Sequence, residues 1–322
     1  MKDELLQSET WMRFQEAAGR RVVRFCGEEW SANGVVHRLP IVGRYLYVPR
    51  GPRGRSENIE VRSEDRDLGK VLDDLLLKAK EAKAGWIRIE PETEETLREI
   101  RVAISNRRIV KAPHDMQPHE TFVVGLAPAE DELLAAMKPK TRYNIRIAEK
   151  RGVKIVSSTE PEYRNAFIRL VTRTADRKGI SAHPVAYYEA MLETLLGDSA
   201  TLMIAEKDGV TVAANLLVFC GDTATYLHGG SDDAYRADMA PFLLQWEGMH
   251  EAKRRGCSWY DFGGVNMEEF VVGSGKWLGI TRFKFGFSPA TSATVFPGTY
   301  DIVLSPRRYA VYRMIQKMKS RV

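Results

Sequence analysis

Residues 201–219 read TLMIAEKDGVTVAANLLVF, and this stretch decides the fold class. Two runs rich in β-branched and apolar residues, Thr201–Lys207 and Val210–Phe219, flank the dipeptide Asp208-Gly209. Asp-Gly between two such runs is a strong hairpin signal, because both residues of the tight turn need a positive φ. The stretch therefore predicts two antiparallel strands joined by a two-residue turn.

The segments around this hairpin alternate between helical and strand-like patterns. The helical patterns before it are Pro139–Arg151, Glu162–Arg177 and Val185–Leu196, and the segments after it are Thr223–His228, Ala240–Arg255 and Trp259–Phe262. This order resembles that of GNAT acyltransferases, in which the strands splay into a V-shaped cleft. The first half of the chain has a looser version of the same order. The alternation predicts an α/β (α+β) fold with two GNAT-like domains in tandem.

The length of 322 residues fits two domains of roughly 150 residues each. We place the second domain at residues 128–296 and the first at residues 1–127 together with 297–322. The C-terminal segment Arg307–Val322 has an apolar stripe at helical spacing, surrounded by Lys and Arg. It is either a helix that docks back on the first domain or a helix that contacts the membrane surface.

The charge balance favours anionic partners, because 48 Lys and Arg stand against 43 Asp and Glu. The three cysteines, Cys26, Cys220 and Cys257, form no Cys-x-x-Cys pair. That indicates a reducing compartment and argues against a disulfide or zinc framework. The N-terminus lacks the apolar core of a signal peptide, and no apolar run approaches the roughly 20 residues of a spanning helix. We therefore expect a soluble, cytoplasmic protein without a metal.

Cofactor motifs are absent from the sequence. There is no Gly-x-Ser-x-Gly elbow, no P-loop and no Gly-x-Gly-x-x-Gly. GNAT acetyltransferases hold the CoA pyrophosphate with backbone amides of a glycine-containing loop. The matching stretch here, Ser231–Pro241, has three aspartates and no glycine. Acetyl-CoA is therefore a poor candidate donor, and we expect no cofactor.

A basic stretch at residues 138–154 carries seven Lys or Arg. Arg142, Arg146 and Lys150 recur every four residues and would share one face of a helix, with Lys140 at its start. Such a face could contact several phosphates of an RNA. The alternative is a solvated basic surface.

Two further stretches supply candidate catalytic side chains. Asp261 ends a strand in Tyr260-Asp-Phe-Gly-Gly264, where it would orient an amine, hold a ribose or form the turn before the glycines. In Gly279–Phe287, Lys284 and other polar residues alternate with phenylalanines, which predicts a strand with its three aromatic rings on one side. Lys284 would then face either solvent or a cleft, where its charge could stabilise an oxyanion.

Three other residues are candidates for substrate binding. Arg177 follows a predicted helix and Tyr187 lies on the next one, and together they form a candidate grip for a diphosphate and a base. Packing explains the tyrosine equally well. Tyr226 lies on a central predicted strand, either in the core or in the cleft.

The ordered motifs together resemble the FemABX family of peptidoglycan bridge-forming aminoacyltransferases. The likeness extends from Trp11 to about Ser288, and its order and spacing across nearly the whole chain are specific. The motifs that carry it are Leu6-Gln-Ser8 before Trp11, Tyr47-Val-Pro-Arg-Gly-Pro52, Gln117-Pro-His-Glu-Thr121, Lys140-Thr-Arg-Tyr-Asn-Ile-Arg146, Tyr226-Leu-His-Gly-Gly-Ser231, Pro241 through Trp246-Glu247 to Gly256, Tyr260-Asp-Phe-Gly-Gly264 and Phe283-Lys284. Since no stretch fits a coiled-coil insertion, the chain resembles the compact FemX-like form.

The resemblance implies an aminoacyl-tRNA donor, often carrying Gly, Ala or Ser. It implies an acceptor amine on the stem peptide of a UDP-linked or lipid-linked muropeptide, which would bring the protein to the inner face of the membrane in the lipid-linked case. By the same resemblance, Phe283 and Lys284 lie near the aminoacyl ester, and the residues that bind the precursor are Arg177, Tyr187, Tyr226 and, in the first domain, Arg38.

This chemistry needs no catalytic triad, because the donor is an activated ester and the nucleophile is an amine. Lys284 can stabilise the tetrahedral oxyanion, and Asp261 or a group of the substrate can take the proton of the amine. Two alternatives remain at this point. One is an enzyme with another activated donor such as acyl-CoA, and the other is a non-catalytic protein that binds RNA or the precursor.

Overall fold

In a computed structural model, described for residues 4–25, 30–54 and 66–319, the chain forms two compact units. Of the described residues, those within Leu6–His119 and Val295–Val322 form unit 1, and those within Glu120–Thr294, together with Glu4 and Leu5, form unit 2. Cys26 and Val322, which figured in the sequence patterns, lie outside the described residues.

The helices and strands are numbered in chain order. The helices are α1 Glu9–Ala17, α2 Arg66–Glu81, α3 Glu94–Ala103, α4 Glu130–Ala136, α5 Pro139–Lys150, α6 Pro161–Lys178, α7 Val185–Leu195, α8 Ala240–Arg254, α9 Met267–Val272, α10 Leu278–Phe285 and α11 Pro306–Lys319. The strands are β1 Arg21–Val23, β2 Trp30–Ser31, β3 Gly34–Leu39, β4 Gly43–Val48, β5 Arg53–Gly54, β6 Ala84–Ile89, β7 Ile109–Lys111, β8 Glu120–Gly125, β9 Lys154–Ser157, β10 Ala200–Lys207, β11 Val210–Cys220, β12 Thr223–Ser231, β13 Trp259–Val265, β14 Thr294–Val295 and β15 Tyr300–Val303.

Unit 1 is built on a six-stranded sheet in the order β1-β3-β4-β6-β15-β7. Strands β4 and β6 run parallel, and their neighbours pair antiparallel. The amphipathic helix α2 buries Leu68, Val71, Leu72 and Leu75 in the core of the unit, as its spacing predicts. The class of this unit is therefore mixed α/β.

The C-terminal helix α11 docks on unit 1, which confirms one of the two readings of that segment. The buried Arg88 donates two hydrogen bonds to Asp301, at 2.8 and 2.9 Å, and a third to the hydroxyl of Tyr312 at 2.9 Å. Tyr309 donates to the same aspartate at 2.8 Å, and the ring of Trp86 stacks on Tyr312 at 4.7 Å. The helix is thus anchored mainly by its tyrosines. Of the predicted apolar stripe, Ile315 packs against the same core, whereas Val311, Met314 and Met318 are exposed.

Unit 2 is built on a seven-stranded sheet in the order β14-β8-β13-β12-β11-β10-β9. The predicted hairpin is confirmed as β10–β11, and Asp208 and Gly209 adopt the positive φ values of 51° and 77° that its turn requires. Helices α5 and α8 share the main core of the unit, and α6 packs against β11 and β12 from the other face.

The strand β8 belongs to unit 2, which corrects the predicted boundary at residues 127/128. It pairs antiparallel with β13, and its side chains Phe122 and Val124 are buried in the core of unit 2. The sequence did not predict β13 as the partner of β8, because pairing in a sheet is decided by long-range packing.

The predicted strand at Gly279–Phe287 is wrong, because most of this segment is helical and belongs to α10, which ends at Phe285. Phe283 of α10 and Phe287, two residues beyond its end, pack against Phe242, at 4.9 and 6.2 Å, while Phe285 contacts Phe122 at 5.6 Å. The three phenylalanines therefore do not all contact the same partner, as the rings on one side of a strand would. A short alternating run does not distinguish the strand period of two residues from the helix period of about 3.6 residues. Here tertiary packing stabilises the helix.

None of the helices in the described ranges combines the length and the apolar character needed to cross a bilayer.

Candidate active site

The candidate active site lies where the parallel strands β12 and β13 of unit 2 part. Their paired residues end with Thr225 and Asp261. Beyond that point β13 continues to pair with β8, through Gly264 and Thr121. The two strands therefore leave a wedge between them at their carboxyl ends, the place where sheets of this kind offer side chains and backbone groups to a ligand.

Tyr226 and His228 point to opposite faces of β12, because the register with β11 shifts between Leu216 and Leu217. Tyr226 lies opposite Leu217 and faces the wedge. His228 lies on the other face, where its ring is 5.4 Å from that of Tyr188 on α7. Burial lowers the pKa of His228 to about 4, so this imidazole is neutral at neutral pH.

Lys284 enters the wedge from α10. Its Nζ donates to the carbonyl oxygen of Gly264 at 2.7 Å and lies 6.0 Å from the centre of the Tyr226 ring. Only 6% of the residue is exposed. Burial lowers the pKa of Lys284 to about 8, while the negative charge of Asp261 opposes that decrease. The ammonium group is thus held in a poorly solvated place and remains mostly protonated at pH 7.

Asp261 forms a turn, as one reading of its sequence context predicts. Its Oδ1 accepts a hydrogen bond from the amide of Gly263 at 2.7 Å, which is the turn-forming role. Gly263 has a φ of 74°, a conformation in which a side chain would be strained, and the Lys284 Nζ lies 3.7 Å from the position that its Cβ would take. The same carboxylate also acts on the charge of Lys284, so the turn and the lysine are electrostatically linked.

The amino end of the basic helix α5 lies against the carboxyl end of α10. The amide of Lys138 donates to the carbonyl oxygen of Gly286 at 2.9 Å. A Cβ at Gly286 would come within 2.3 Å of the Thr141 hydroxyl, so this close approach depends on glycine. The ammonium of Lys138 also lies over the Phe285 ring at 5.1 Å. The basic surface of α5 therefore begins close to the end of the helix that carries Lys284.

The four basic residues predicted on α5 divide into two groups. Lys140, Arg146 and Lys150 are exposed. Arg142 is half-buried instead, and its Nη1 donates to the carbonyl oxygens of Ala135, at 2.8 Å, and Met137. Arg142 thus caps the end of α4, which corrects the prediction of a surface made by all four.

The predicted precursor-binding residues lie in different parts of the fold. Arg177 lies near the end of α6 and donates to the carbonyl oxygen of Ser231, at 3.3 Å, at the end of β12. Tyr187 on α7 stacks on His183 at 4.2 Å. Arg38 is exposed on β3 in unit 1. Tyr226 is thus the member of this group that directly neighbours Lys284.

Sequence reasoning missed Asn215 and Tyr143. Asn215 on β11 is opposite Gly229, where a Cβ would lie 2.4 Å from both the Asn215 Oδ1 and the Tyr226 hydroxyl. Within the described ranges, the Nδ2 of Asn215 is buried without a hydrogen-bond partner. The sequence signal that could have identified Asn215 is its side-chain amide, which stands inside the mostly apolar run Val210–Phe219. Tyr143 on α5 is 62% exposed among the basic residues.

The described residues contain no group of three or more His, Cys, Asp or Glu side chains arranged to hold a metal ion.

Comparisons with known proteins identify a family, related sequences and a solved structure with a similar fold. A family model described as the FemAB family matches residues 1–209 and 206–317. A lipid II:glycine glycyltransferase of Staphylococcus epidermidis is 23% identical, over 99% of this chain and 92% of that protein. A UDP-N-acetylmuramoylpentapeptide-lysine N(6)-alanyltransferase of Weissella viridescens is 25% identical, over 71% of this chain and 69% of that protein.

Among solved structures, the crystal structure of FemX superposes with a TM-score of 0.79 at 20% identity, over 97% of this chain and 94% of that one. This likeness shows a shared fold, and the predicted mixed α/β class is confirmed. It is consistent with the tandem GNAT-like architecture that the motif order predicts.

Proposed function

The chain belongs to the FemAB family, and on that premise we propose that it is an aminoacyltransferase of peptidoglycan bridge synthesis. It joins an amino acid of the Gly, Ala or Ser class to the stem-peptide amine of a peptidoglycan precursor. The observation that carries the proposal is the Lys284 ammonium, hydrogen-bonded in the wedge between β12 and β13. The names of the two relatives, a glycyltransferase and an alanyltransferase, support the same reaction class.

We propose aminoacyl-tRNA as the donor. Its phosphates would contact the exposed cations Lys140, Arg146 and Lys150, and each contact would release counterions from the RNA. The exposed ring of Tyr143 offers a stacking surface on the same helix. Because α5 begins beside Gly286, an RNA bound along it with its aminoacyl end at Lys138 would present that end to α10.

In the proposed reaction, the acceptor amine attacks the carbonyl carbon of the aminoacyl ester. A tetrahedral intermediate forms, and the Lys284 ammonium stabilises the negative charge on its oxygen. The C–O bond to the ribose then breaks and an amide bond remains. The amine loses one proton and the ribose oxygen gains one, so the overall transfer is balanced.

Two residues would assist this lysine. The carboxylate of Asp261 favours the charged form of Lys284, and we propose that it also receives the proton of the attacking amine. Phe283 fixes the helix that carries the lysine, through its ring contact with Phe242 at 4.9 Å. Asp261→Asn should therefore slow transfer, and transfer at the wild-type rate across the pH range would remove Asp261 as the base.

We propose a UDP-linked or lipid-linked muropeptide as the acceptor, bound through Arg177, Tyr187 and Tyr226, and through Arg38 of unit 1. The guanidinium of Arg177 suits the diphosphate of such a precursor. Under this proposal unit 1 contributes to precursor binding, and unit 2 carries the donor and the reactive lysine. A lipid-linked acceptor would bring the protein to the membrane surface.

Acyl-CoA is disfavoured as the donor by the structure of the stretch Ser231–Pro241. The amide of Ala234, which a pyrophosphate would need, already donates to the Asp232 Oδ1 at 3.1 Å. The second oxygen of Asp232 pairs with Arg173 at 3.2 Å. This segment therefore uses its polar groups internally and offers no cradle of glycine amides.

The test is a transfer assay with labelled aminoacyl-tRNA and a UDP-muramoyl-pentapeptide or its lipid-linked form. Label transfer that is abolished by prior RNase treatment is the expected result. Lys284→Met should lower turnover by two orders of magnitude or more, as removal of an oxyanion-stabilising donor does. Lys207→Met, at the hairpin turn of the same unit, is the matched control. Transfer from acyl-CoA alone, or binding of both substrates without transfer, would refute the proposal.

A further inference from the structure

The outward face of α11 carries an apolar stripe that the fold of unit 1 does not use. Val311, Met314 and Met318 are spaced three and four residues apart, so they share one side of the helix. Met314 is 59% exposed and Met318 is 63% exposed. The helix is anchored from its other side, by the buried Tyr309 and Tyr312.

A cleft of about 700 Å³ lies beside this stripe, within unit 1. It is lined by Arg313, Lys317 and Lys319 of α11, together with Met314 and His114. None of the described residues that line it is acidic. Three charged side chains of one sign around a concave surface attract an anion, and Arg313 and the two lysines suit phosphate oxygens.

The cleft is partly pre-organised. The Arg313 Nη1 donates to the carbonyl oxygen of Lys111 at 3.0 Å, which fixes the guanidinium at the edge of the cleft. The nearby carboxylate of Asp115 is engaged elsewhere, because it accepts from the amide of Thr299 at 2.7 Å and lies 3.6 Å from Lys111. The positive field of the cleft is therefore not cancelled by this neighbouring acid.

We propose that this region, the α11 surface, docks on a membrane that contains anionic phospholipid. The α11 surface consists of Val311, Met314 and Met318 with the cleft cations Arg313, Lys317 and Lys319. The phosphodiester headgroup of the lipid occupies the cleft, and the two methionines enter the boundary between headgroups and acyl chains. This inference does not depend on the proposed transfer reaction, since it involves no residue of the wedge in unit 2.

The combination of the two features favours a lipid surface over other partners. An RNA would use the cations and leave the methionines in water. An apolar protein groove would cover the methionines but would offer no negative charge to the cations. A membrane uses both at once, since helices that lie on membranes join an apolar face to flanking Lys and Arg. One such helix gives reversible binding, which suits a protein that contacts the membrane peripherally.

The test is co-sedimentation of the full chain with vesicles of phosphatidylcholine, with or without phosphatidylglycerol. We expect binding only to the vesicles that contain phosphatidylglycerol, and weaker binding as salt is added. Lys317→Gln with Lys319→Gln should weaken it roughly 30-fold, at about fivefold for each charge near the surface. Met314→Gln with Met318→Gln should weaken it about tenfold.

Matched controls come from exposed residues elsewhere in unit 1. Arg98→Gln with Arg107→Gln removes two exposed charges, and Leu77→Gln with Val102→Gln replaces two exposed apolar side chains. Both pairs should bind vesicles as the wild type does. Circular dichroism and thermal melting check that every variant is folded. Lys284→Met should also bind vesicles normally, which separates this result from the transfer assay.

Three outcomes would overturn the proposal. The first is equal binding to both kinds of vesicle. The second is release of the protein by inorganic phosphate together with unaltered binding of the methionine variant, which would show a phosphate pocket only. The third is self-association that the methionine changes abolish, without any vesicle binding, which would show a contact between protein molecules.

Discussion

Lys284 holds its charge in surroundings that disfavour it, and this gives a prediction for the pH dependence of transfer. The acceptor amine, with a pKa of about 10.4, becomes more reactive as pH rises. The proposed role of Lys284 needs its protonated form, which is lost above a pKa of about 8. We therefore expect log kcat/KM for the acceptor to rise with pH and to level off near pH 8.

The residue that produces this break can be identified by Lys284→Arg, since arginine stays protonated throughout the range. If the variant retains measurable activity, its rate should continue to rise beyond pH 8. The opposite result would be a wild-type log kcat/KM that rises more steeply below pH 8 than above it and does not level off. That profile would indicate that the neutral amine of Lys284 is the active form.

The same pKa predicts how stability depends on pH. In the unfolded chain Lys284 has its ordinary pKa of 10.5, while burial lowers the pKa in the folded state to about 8. Between these values the unfolded state binds more protons, so the wild type gains stability as pH rises from about 8 to 10.5. Relative to Lys284→Met, its melting temperature should rise across this window and stay constant below it. A pH-independent difference in thermal denaturation would contradict this.

The sequence points to Lys284 and Asp261 as candidates but does not predict how deeply Lys284 is buried. Its alternating pattern predicts a strand and allows a surface position, whereas the structure places it on α10 with 6% of the residue exposed. The sequence context of Asp261 predicts either a turn or a ligand-binding carboxylate, and in the structure its carboxylate forms the turn and acts on the charge of Lys284. Asn215 went unnoticed, because one amide in an apolar strand becomes significant only when its neighbours Tyr226 and Gly229 are known.

At the scale of elements, α5 allows a direct test of RNA contact. Arg146→Ala with Lys150→Ala should weaken tRNA binding and reduce the slope of log affinity against log salt by roughly 1.5. Filter binding at several salt concentrations measures both effects. The control is Arg142→Ala, which should leave the salt slope unchanged and lower the free energy of unfolding by about 1 to 2 kcal/mol, since it removes a charged cap of α4. Equal salt slopes for the wild type and the double variant would exclude α5 from the RNA interface.

Helix α10 shows why some elements resist prediction. Its polar and aromatic residues alternate with the period of two that is typical of a strand. The same eight residues nevertheless form a helix, because aromatic residues from other elements pack against it. Those partners, Phe122 and Phe242, lie far away in the chain. By contrast, the β10–β11 hairpin was predicted from its own residues, because Asp208-Gly209 determines the turn locally.

At the scale of the whole molecule, the two units differ in whether their pair of parallel strands separates at its carboxyl end. In unit 2, β12 and β13 part after Asp261 and admit Lys284. In unit 1, β4 and β6 stay paired to Val48 and Ile89, and the amide of Glu90 then donates to the carbonyl oxygen of Gly51 at 3.0 Å. The sequence shows similar element orders in both halves. Contacts between residues far apart in the chain decide which of the two parallel strand pairs separates, and local sequence patterns do not predict those contacts.

The buried carboxylate of Glu90 holds the closed end of unit 1 together. It accepts hydrogen bonds from the Tyr47 hydroxyl at 2.8 Å, the Thr299 hydroxyl at 2.9 Å and the Gln117 amide at 2.9 Å. Glu90→Ala would leave these donors buried without an acceptor, so we expect a loss of about 3 kcal/mol in the free energy of unfolding. Urea denaturation measures this, with the exposed Glu95→Ala as the control.

This change should affect stability without affecting chemistry, because the proposed catalytic residue, Lys284, lies in unit 2. At a temperature well below its melting point, Glu90→Ala should therefore keep the wild-type kcat in the transfer assay. Lys284→Met should show the opposite pattern, with turnover lost and the fold retained. A Glu90→Ala protein that melts like the wild type but no longer turns over would mean that unit 1 contributes a carboxylate to the reaction, and the assignment of the chemistry to unit 2 alone would be wrong.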